Sequence, residues 1–462
     1  MSKKPPLLSS PADTKVSSAR KSLDAGPAAR SAPSSSPAKA VASVGAAPPR
    51  ATRLSQDFNM SRPLIMYIDL NSCFATVEQQ ARPMLRGRAV AIVNRRTEHT
   101  MIVTASYEAK AMGVTLGMRL RDAKKICPGL VGIESDPVKY RYVYHKMMAI
   151  MGDYSPHVRM KSIDEGVIDF TDAPESVRSR DLVEIGYEIK QRLKDEIGCW
   201  MRCNIGISTN RFLAKTAASL HKPDGLDVLT SHNIREVFAG LELQDLTGIA
   251  WANEHRLNAV GIYTPLDMLD ASAEDLHIAF KSICGEQWHQ RLRGWEVDDI
   301  DHDLKSCGRQ YVLDSPKLTY AEKVARLHSL VEGVGAKLRH TNKAARGVKL
   351  YARTYSRRSW QAHYLAPLPF YSDAAIWAIA KKLFVGAPED ISMVSVTCYH
   401  LHDDTVSQLS LFGDELARER HVTWAIDEIN ARWGERTIHS GSTTGMKGVV
   451  KTKIPFGSTR YM

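Results

Sequence analysis

The sequence predicts an α+β protein, and three observations lead to that class. From Pro63 to Gly225, apolar strand-like runs alternate with helical segments without a regular repeat, so we expect a mixed sheet. From about 232 to 295 the pattern is helical throughout. Beyond a linker near 301–307, strands and helices alternate again, which predicts a separate small α+β domain. The 462 residues are enough for about three domains.

The composition excludes several classes of protein. Hydrophobic residues make up 44% and charged residues 24%, which is ordinary for a globular protein. No apolar run reaches 18 residues, so we expect no membrane span. The seven cysteines are odd in number and form no C-x-x-C pair, so we expect neither a disulfide framework nor a structural zinc site. The same cysteine content favours a reducing compartment. The net charge of +11 favours a polyanionic partner.

The N-terminal extension, residues 1–61, is predicted to be disordered and basic. Its first 58 residues hold 12 Ala, 12 Ser and 8 Pro, with 9 Lys or Arg against 3 Asp. Such a segment cannot bury enough apolar surface to offset its chain entropy. Three interpretations stay open: a solvated extension, a transit peptide, or an arm that tethers DNA.

Three carboxylates stand at predicted strand ends. The buried run LIMYIDL ends in Asp69, and Asp164 and Glu165 lie in the tight SIDEG segment between two strands of 157–172. Two oxygen-ligated Mg²⁺ ions are the usual solution for in-line phosphoryl transfer, and carboxylates are suitable ligands. The alternative is that these are solvated turn acids.

The remaining elements follow from periodicity. Further strands are predicted at 88–93, 101–106 and 202–208, and helices at 107–113, 120–127, 136–155, 179–196 and 210–222. The C-terminal domain is expected to run strand, helix, strand, helix, strand, with one long helix over 321–341. A further helix is predicted over 420–434, in a tail that either caps this domain or binds a partner.

Four motifs carry a family resemblance. In order they are YIDLNSCFATVEQ (67–79), TASYEAKAMGV (104–114), SIDEGVIDF (162–170) and GISTNRFLAKTAASLHKPDG (206–225). Together they resemble the Y-family of translesion DNA polymerases, on the DNA polymerase IV branch, from about residue 62 to 402. The resemblance implies a right-hand polymerase with a mixed-sheet palm, small fingers, a helical thumb and a little finger. Its implied bounds are 62–72 and 138–225 for the palm, 73–137 for the fingers, 226–300 for the thumb, 301–307 for a linker, 308–402 for the little finger and 403–462 for the tail.

The resemblance assigns metal ligands residue by residue. It implies that Asp69 and Asp164 bind two Mg²⁺ ions and that Glu165 binds the ion beside the primer 3′-hydroxyl. The backbone carbonyl of Leu70 would complete a metal shell.

The resemblance also assigns contacts to the incoming nucleotide. It implies that the triphosphate is held by Thr104, Tyr107, Lys110 and Lys215. Many relatives carry Arg where this chain has Lys110, which keeps the charge and loses the bidentate fork. Phe74, five residues beyond Asp69, matches the aromatic steric gate that excludes a 2′-hydroxyl. The alternative is a core aromatic on a strand-to-helix turn.

The DNA-holding parts are implied by two further segments. LTGIAWANEHRLNAVGI resembles half of a helix-hairpin-helix, with Gly248 and Gly261 in place and Ala250 where Gly is usual. The alternative there is an ordinary helical hairpin. The C-terminal domain is expected to hold DNA backbone on a basic sheet face. Its cations are Lys305, Arg309, Lys317, Arg339, Lys343, Arg346, Lys349, Arg353, Arg357 and Arg358.

The pentapeptide QLSLF (408–412) resembles the peptide by which bacterial polymerases dock onto the sliding clamp. It implies that Gln408, Leu409, Leu411 and Phe412 enter the clamp groove. In many relatives this motif ends the chain, whereas here 50 residues follow.

The expected function is therefore a Mg²⁺-dependent, template-directed DNA polymerase of low fidelity that copies damaged DNA. No second acidic cluster of the kind a proofreading exonuclease needs is present. The expected partners are primed template DNA, deoxynucleoside triphosphates and the sliding clamp, with no membrane, for a monomer in the bacterial cytoplasm at the nucleoid. The competing classes are a non-catalytic recruiter of repair proteins and a helix-hairpin-helix binding module.

Overall fold

The structure, a computed structural model, describes residues 58–299, 303–403, 415–446 and 449–450. The basic extension predicted for 1–61 therefore lies almost wholly outside the described residues. The described strands are β1 (Ile65–Leu70), β2 (Val90–Val93), β3 (Ile102–Ala105), β4 (Val131–Glu134), β5 (His157–Met160), β6 (Glu165–Asp169), β7 (Cys203–Ser208), β8 (Leu226–Val228), β9 (Ser306–Val312), β10 (Lys343–Thr354), β11 (Ser359–Phe370) and β12 (Ile391–Asp403).

The described helices are distributed between and after these strands. They are α1 (Cys73–Ala81), α2 (Tyr107–Ala111), α3 (Leu120–Ile126), α4 (Pro137–Gly152), α5 (Glu175–Arg178), α6 (Leu182–Glu196), α7 (Arg211–Leu220), α8 (Ile234–Ala239), α9 (Trp251–Asn258), α10 (Pro265–Asp270), α11 (Ala273–Phe280), α12 (Cys284–Leu292), α13 (Tyr320–His340), α14 (Asp373–Phe384) and α15 (Glu415–Trp433). Among them, none is long and apolar enough to cross a membrane.

The first sheet has five strands in the order β5-β6-β1-β7-β8. All pairs are antiparallel except β7 with β8, so the predicted mixed sheet is confirmed. Side chains of β1 alternate between two cores. Met66 and Ile68 pack in the large core with α4 and α6, whereas Ile65 and Tyr67 pack against α7. Asp69 lies two residues beyond Tyr67 on β1, and alternate residues of a strand point to the same face. The side chain of Asp69 therefore lies on the α7 side of the sheet.

Two smaller units follow different architectures. Strands β3, β2 and β4 form a three-stranded sheet whose core includes side chains from α2 and α3. Helices α8 to α12 enclose a separate core, in which Phe280 and Trp288 stack. That helical unit is joined to α7 through Asn210, whose Nδ2 donates to the carbonyls of Arg291 and Trp295 at 2.8 and 2.9 Å.

The C-terminal sheet has four antiparallel strands in the order β11-β10-β12-β9, with α13 and α14 packed on one face. The predicted element order was wrong, because it omitted β11. This is an edge strand whose side chains are mostly exposed, and it contains Pro367 and Pro369. Proline is tolerated on an edge strand because the missing N–H is not needed for a central ladder, yet its presence argues against a strand from sequence alone.

The C-terminal tail packs on the helices of this sheet, which is the capping role that the sequence left open. Arg339 of α13 forms a bidentate pair with Asp427 of α15. Arg436 pairs with Glu332, which also accepts from the Ser440 N–H at 2.9 Å. At the far end, Val450 is buried in the core of the C-terminal sheet.

Candidate active site

The three predicted acids meet at one end of the first sheet. Asp69, at the end of β1, is the ladder partner of Glu165, which opens β6. The N–H of Leu70 donates to the carbonyl of Asp164 at 2.9 Å, so the turn before β6 is held against the same strand end. We call Asp69, Asp164 and Glu165 the acid cluster.

Burial shapes the electrostatics of the acid cluster. It raises the pKa of Asp69, an effect that Lys222 opposes. Burial also raises the pKa of Asp164, and the charges of the other two acids act in the same direction, whereas a hydrogen bond from Ser162 opposes them. Partly dehydrated carboxylates that repel each other are stabilised by cations, so this end of the sheet is a cation-binding environment.

Two lysines supply that positive charge. Lys215 of α7 donates to both carboxylate oxygens of Glu165, at 2.8 and 2.9 Å, and to the Tyr67 hydroxyl at 3.1 Å. Lys222, just beyond α7, is bonded to Asp69. The family resemblance assigns Lys215 to the triphosphate, and it gives no role to Lys222, which stands within the motif at 206–225.

Residues from α2 approach the same place. Lys110 Nζ donates to the Ser72 hydroxyl at 2.8 Å and lies 4.8 Å from the centroid of the Tyr107 ring. Burial lowers the pKa of Lys110, and the neighbouring charge of Lys222 lowers it further. Thr104 lies one element earlier, on β3. The predicted residues Tyr107 and Lys110 are thus gathered beside Asp69, and Ser72 joins them.

Phe74 lies on the first turn of α1 and is 4% exposed. Its ring stacks on that of Tyr140, with the centroids 4.3 Å apart. The Tyr140 hydroxyl in turn donates to Glu78 at 3.1 Å, a fully buried carboxylate that also pairs with Lys139. Such packing is compatible with a core aromatic and equally with a ring held rigid to exclude a 2′-hydroxyl. The steric-gate assignment therefore stays a prediction.

The acid cluster fits a magnesium site by the chemistry of its donors. All three side chains offer carboxylate oxygen, the ligand that Mg²⁺ prefers. In the part of the chain that the structure describes, no three His, Cys, Asp or Glu side chains are grouped closely enough to enclose an ion. Lys222 and Lys215 pair with two of the three carboxylates of the acid cluster.

The face of the C-terminal sheet opposite α13 and α14 carries some of the predicted DNA contacts. Along β10 the buried side chains are Val348, Leu350 and Ala352, so Lys349 and Arg353 project from the other face and are exposed. Arg346 stands at a register shift, and its Nε donates to the carbonyl of Ala366 at 3.1 Å. Their DNA contacts remain predictions.

Two of the residues predicted to contact DNA lie on the helical side of this sheet. Arg309 shares its parity on β9 with the buried Cys307 and Tyr311, so it points to the helical side of the sheet. Its guanidinium lies against Gly333, where a Cβ would come within 1.8 Å of Nη1, and burial lowers its pKa. Arg339 is held by Asp373 and Asp427 beneath the C-terminal tail.

The hairpin glycines adopt the conformation that the helix-hairpin-helix resemblance requires. Gly248 and Gly261 have φ of 98° and 83°, a region that favours glycine. Ala250 has a φ of −106° and precedes α9, so its replacement of glycine costs nothing in backbone strain. The residues predicted to bind the clamp, Gln408, Leu409, Leu411 and Phe412, lie outside the described residues.

Comparison with known proteins agrees with this geometry. The impB/mucB/samB family matches residues 68–219, and its C-terminal domain matches residues 305–411. A DNA polymerase IV from Moorella thermoacetica is 33% identical over 84% of this chain and 97% of its own length. A DNA polymerase IV from Oceanobacillus iheyensis is 27% identical over 82% and 91%.

Solved structures share the fold. A Y-family DNA polymerase chimera, Dbh-Dpo4-Dbh, superposes with a TM-score of 0.62 at 20% identity, over 73% of this chain and 98% of its own. An insertion ternary complex of Dbh DNA polymerase gives 0.51 at 19% identity, over 72% and 98%. The fold is therefore that of the Y-family DNA polymerases. The chain belongs to the impB/mucB/samB family, on the DNA polymerase IV branch of the Y-family.

Proposed function

We propose that this chain extends a primer 3′ end on damaged template DNA by two-metal phosphoryl transfer, with low fidelity and without proofreading. The observation that carries the proposal is the acid cluster at the β1–β6 end, faced by Lys215, Lys222, Tyr107 and Lys110. Carboxylates ringed by cations are what a nucleoside triphosphate with bound metal ions needs.

The metal ligands in this proposal are Asp69, Asp164 and Glu165, with the Leu70 carbonyl. Two Mg²⁺ ions would supply charge neutralisation and orient the primer oxygen and the α-phosphate. Asp69 and Asp164 are suited to the role because burial makes their charged form costly without a cation. Lys222 now pairs with Asp69 and Lys215 with Glu165, and both lysines would become available to phosphate oxygens once metal ions pair with the carboxylates.

The proposed contacts to the incoming nucleotide come from residues around the acid cluster. Lys110, Tyr107 and Thr104 would hold the triphosphate from one side, and Lys215 and Lys222 from the other. Phe74 would lie under the sugar. Positioning by several weak contacts suits a transfer in which electrostatics, rather than covalent chemistry, supplies most of the rate.

The DNA and partner contacts lie on the other units. Lys349, Arg353 and Arg346 would bind the DNA backbone, together with the hairpin at Gly248 and Gly261. QLSLF would dock onto the sliding clamp, and the expected setting is the bacterial cytoplasm at nucleoid DNA. The domain bounds implied by the resemblance, with the palm at 62–72 and 138–225, belong to the same proposal.

Primer extension tests the proposal directly. The intact chain with Mg²⁺, a primed template and deoxynucleotides should extend the primer, whereas the double variant Asp164→Ala/Glu165→Ala should not. Equal DNA binding by the two proteins, measured by fluorescence anisotropy, controls for misfolding. No extension by the intact chain would favour a non-catalytic recruiter instead.

A further inference from the structure

The loop that carries Lys222 joins α7 to β8 and is held by two asparagines. Asn204 Nδ2 donates to the carbonyl of His221 at 3.1 Å. The N–H of Asp224 donates to Asn71 Oδ1 at 2.8 Å. These bonds lie one residue before and two residues after Lys222, so the chain is fixed on both sides of it.

The two asparagines also bond to each other, Asn71 Nδ2 donating to Asn204 Oδ1 at 2.9 Å. They are 2% and 0% exposed. Asn204 is the ladder partner of Asp69, and Asn71 follows Asp69 by two residues. A buried amide that lacks hydrogen-bond partners is destabilising, so two buried amides whose oxygens and nitrogens are all hydrogen-bonded favour this one arrangement. The loop is thereby tied to the strand that carries Asp69.

The other side of the loop is enclosed as well. Lys190 of α6 is 7% exposed, and its Nζ donates to the carbonyls of Asp224 and Gly225. A Cβ on Gly225 would lie 2.3 Å from the carbonyl oxygen of His221, so the chain can close this tightly only with glycine. Lys222 is the loop residue that reaches Asp69.

We infer that Asn71 and Asn204 are positioning residues for Lys222, holding its ammonium between Asp69 and the triphosphate of the incoming nucleotide. The inference rests on the proposed function, since it takes Lys222 as a phosphate-binding cation. The asparagines act through the loop. Fixing the backbone before substrate arrives reduces the conformational freedom that Lys222 loses on binding phosphate.

A double-mutant cycle tests the coupling. Single-nucleotide insertion is measured for the full chain and for Asn71→Ala, Lys222→Ala and the double variant. Lys222→Ala should raise KM for the deoxynucleotide about tenfold or more, and Asn71→Ala about fivefold, with kcat less affected. The double variant should be no worse than Lys222→Ala, because the asparagine has no effect without the lysine.

Two further variants separate positioning from stability. Asn233→Ala removes a side chain that likewise makes two backbone hydrogen bonds, both at 2.8 Å, away from this loop, so it should lower the melting temperature and leave KM unchanged. Asn204→Ser removes the hydrogen bond to the His221 carbonyl but keeps a small polar side chain. This variant is measured in place of Asn71→Ala if Asn71→Ala does not fold. It should raise KM in the same direction.

The inference is overturned if the effects of Asn71→Ala and Lys222→Ala on KM multiply in the double variant. It is also overturned if Asn71→Ala and Asn204→Ser lower the melting temperature while KM stays at the wild-type value. Failure of the proposed function gives a different result: the intact chain would then insert no nucleotide, or Asp164→Ala would insert nucleotides as fast as the intact chain, whatever the asparagine variants do.

Discussion

Charged side chains are arranged differently in the acid cluster and on the face of the C-terminal sheet opposite α13 and α14, which we call the open face. In the acid cluster, Asp69 and Glu165 are each paired with a lysine, and Asp164 is hydrogen-bonded within a half-buried turn. On the open face, Lys349 and Arg353 are exposed on a regular strand. Burial strengthens the few electrostatic interactions of the acid cluster. On the sheet face, the charges are exposed and water screens them.

The difference predicts two kinds of response to mutation. Removing one member of a buried, mutually paired group leaves its partners uncompensated, so the effect on the shared chemistry is large. On a face that binds the DNA backbone, each exposed cation contributes its own phosphate contact. Removing one cation therefore weakens DNA binding by that contact alone. The predictions below test this contrast, from the largest expected effect to the smallest.

Asp69→Ala should abolish primer extension, reducing the rate at least about 10³-fold, equivalent to about 4 kcal/mol. DNA affinity should persist, because in the proposed function most contacts to the DNA backbone come from other units of the chain, the C-terminal sheet above all. Pre-steady-state insertion together with anisotropy of labelled DNA measures both quantities. Substantial insertion by this variant would remove the two-metal assignment.

Phe74→Ala should raise use of ribonucleotides at least about tenfold, equivalent to about 1.4 kcal/mol, and cost little with deoxynucleotides. The reason is steric, since the ring stacked on Tyr140 would otherwise fill the space of a 2′-hydroxyl. Insertion of a ribonucleotide against its deoxy counterpart on one primed template gives the ratio.

The neighbours of Phe74 provide the matched controls. Cys73 and Ala75 are also buried on α1, and their substitution should leave sugar selection unchanged. If Phe74→Ala keeps wild-type discrimination while still inserting deoxynucleotides, the ring belongs to the core alone.

Lys349→Ala/Arg353→Ala should weaken DNA binding several-fold and reduce the slope of log affinity against log salt by about 2, at roughly 0.9 per lost phosphate contact. Arg309→Ala is the control from the same sheet. It should leave the salt slope unchanged and lower the free energy of unfolding by about 1–3 kcal/mol, because Arg309 is packed against α13. A reduced salt slope in Arg309→Ala, or none in the double variant, would reverse the assignment of the two faces.

Replacing Gln408, Leu411 and Phe412 together with Ala should have the smallest effect on the enzyme alone. Distributive synthesis should stay at the wild-type level, and stimulation by a loaded sliding clamp should disappear. Primer extension with and without clamp measures both. Unchanged clamp binding in a pull-down would show that the peptide has no docking role.

How far the sequence predicts this molecule depends on the kind of information each region needs. The position of Asp69 at the end of β1 followed from an apolar run that stops at an acid, and that of Glu165 at the start of β6 from the tight SIDEG segment between two predicted strands. The side of the sheet on which Arg309 lies was predictable, since alternation from Cys307 and Tyr311 places it on the face that the helices cover. Strand β11 was obscured by its prolines and exposed side chains.

Other features required the folded chain. The pairing of Lys222 with Asp69 joins residues 153 positions apart, and no local pattern reports it. The hydrogen bond between Asn71 and Asn204 spans 133 positions. Likewise Arg339 looked like one more cation of a basic domain, because its partner Asp427 lies in a tail with no evident role in the sequence.

The burial of Val450 has a consequence for how the protein is made. The first sheet and its helices are complete once residue 228 has been synthesised, whereas the core of the C-terminal sheet recruits a side chain 47 residues beyond the end of its last strand. Because a ribosome delivers the chain from its N-terminus, the first sheet can fold before the residues that complete the core of the C-terminal sheet have been synthesised. Closure of that core is therefore a late step in biogenesis.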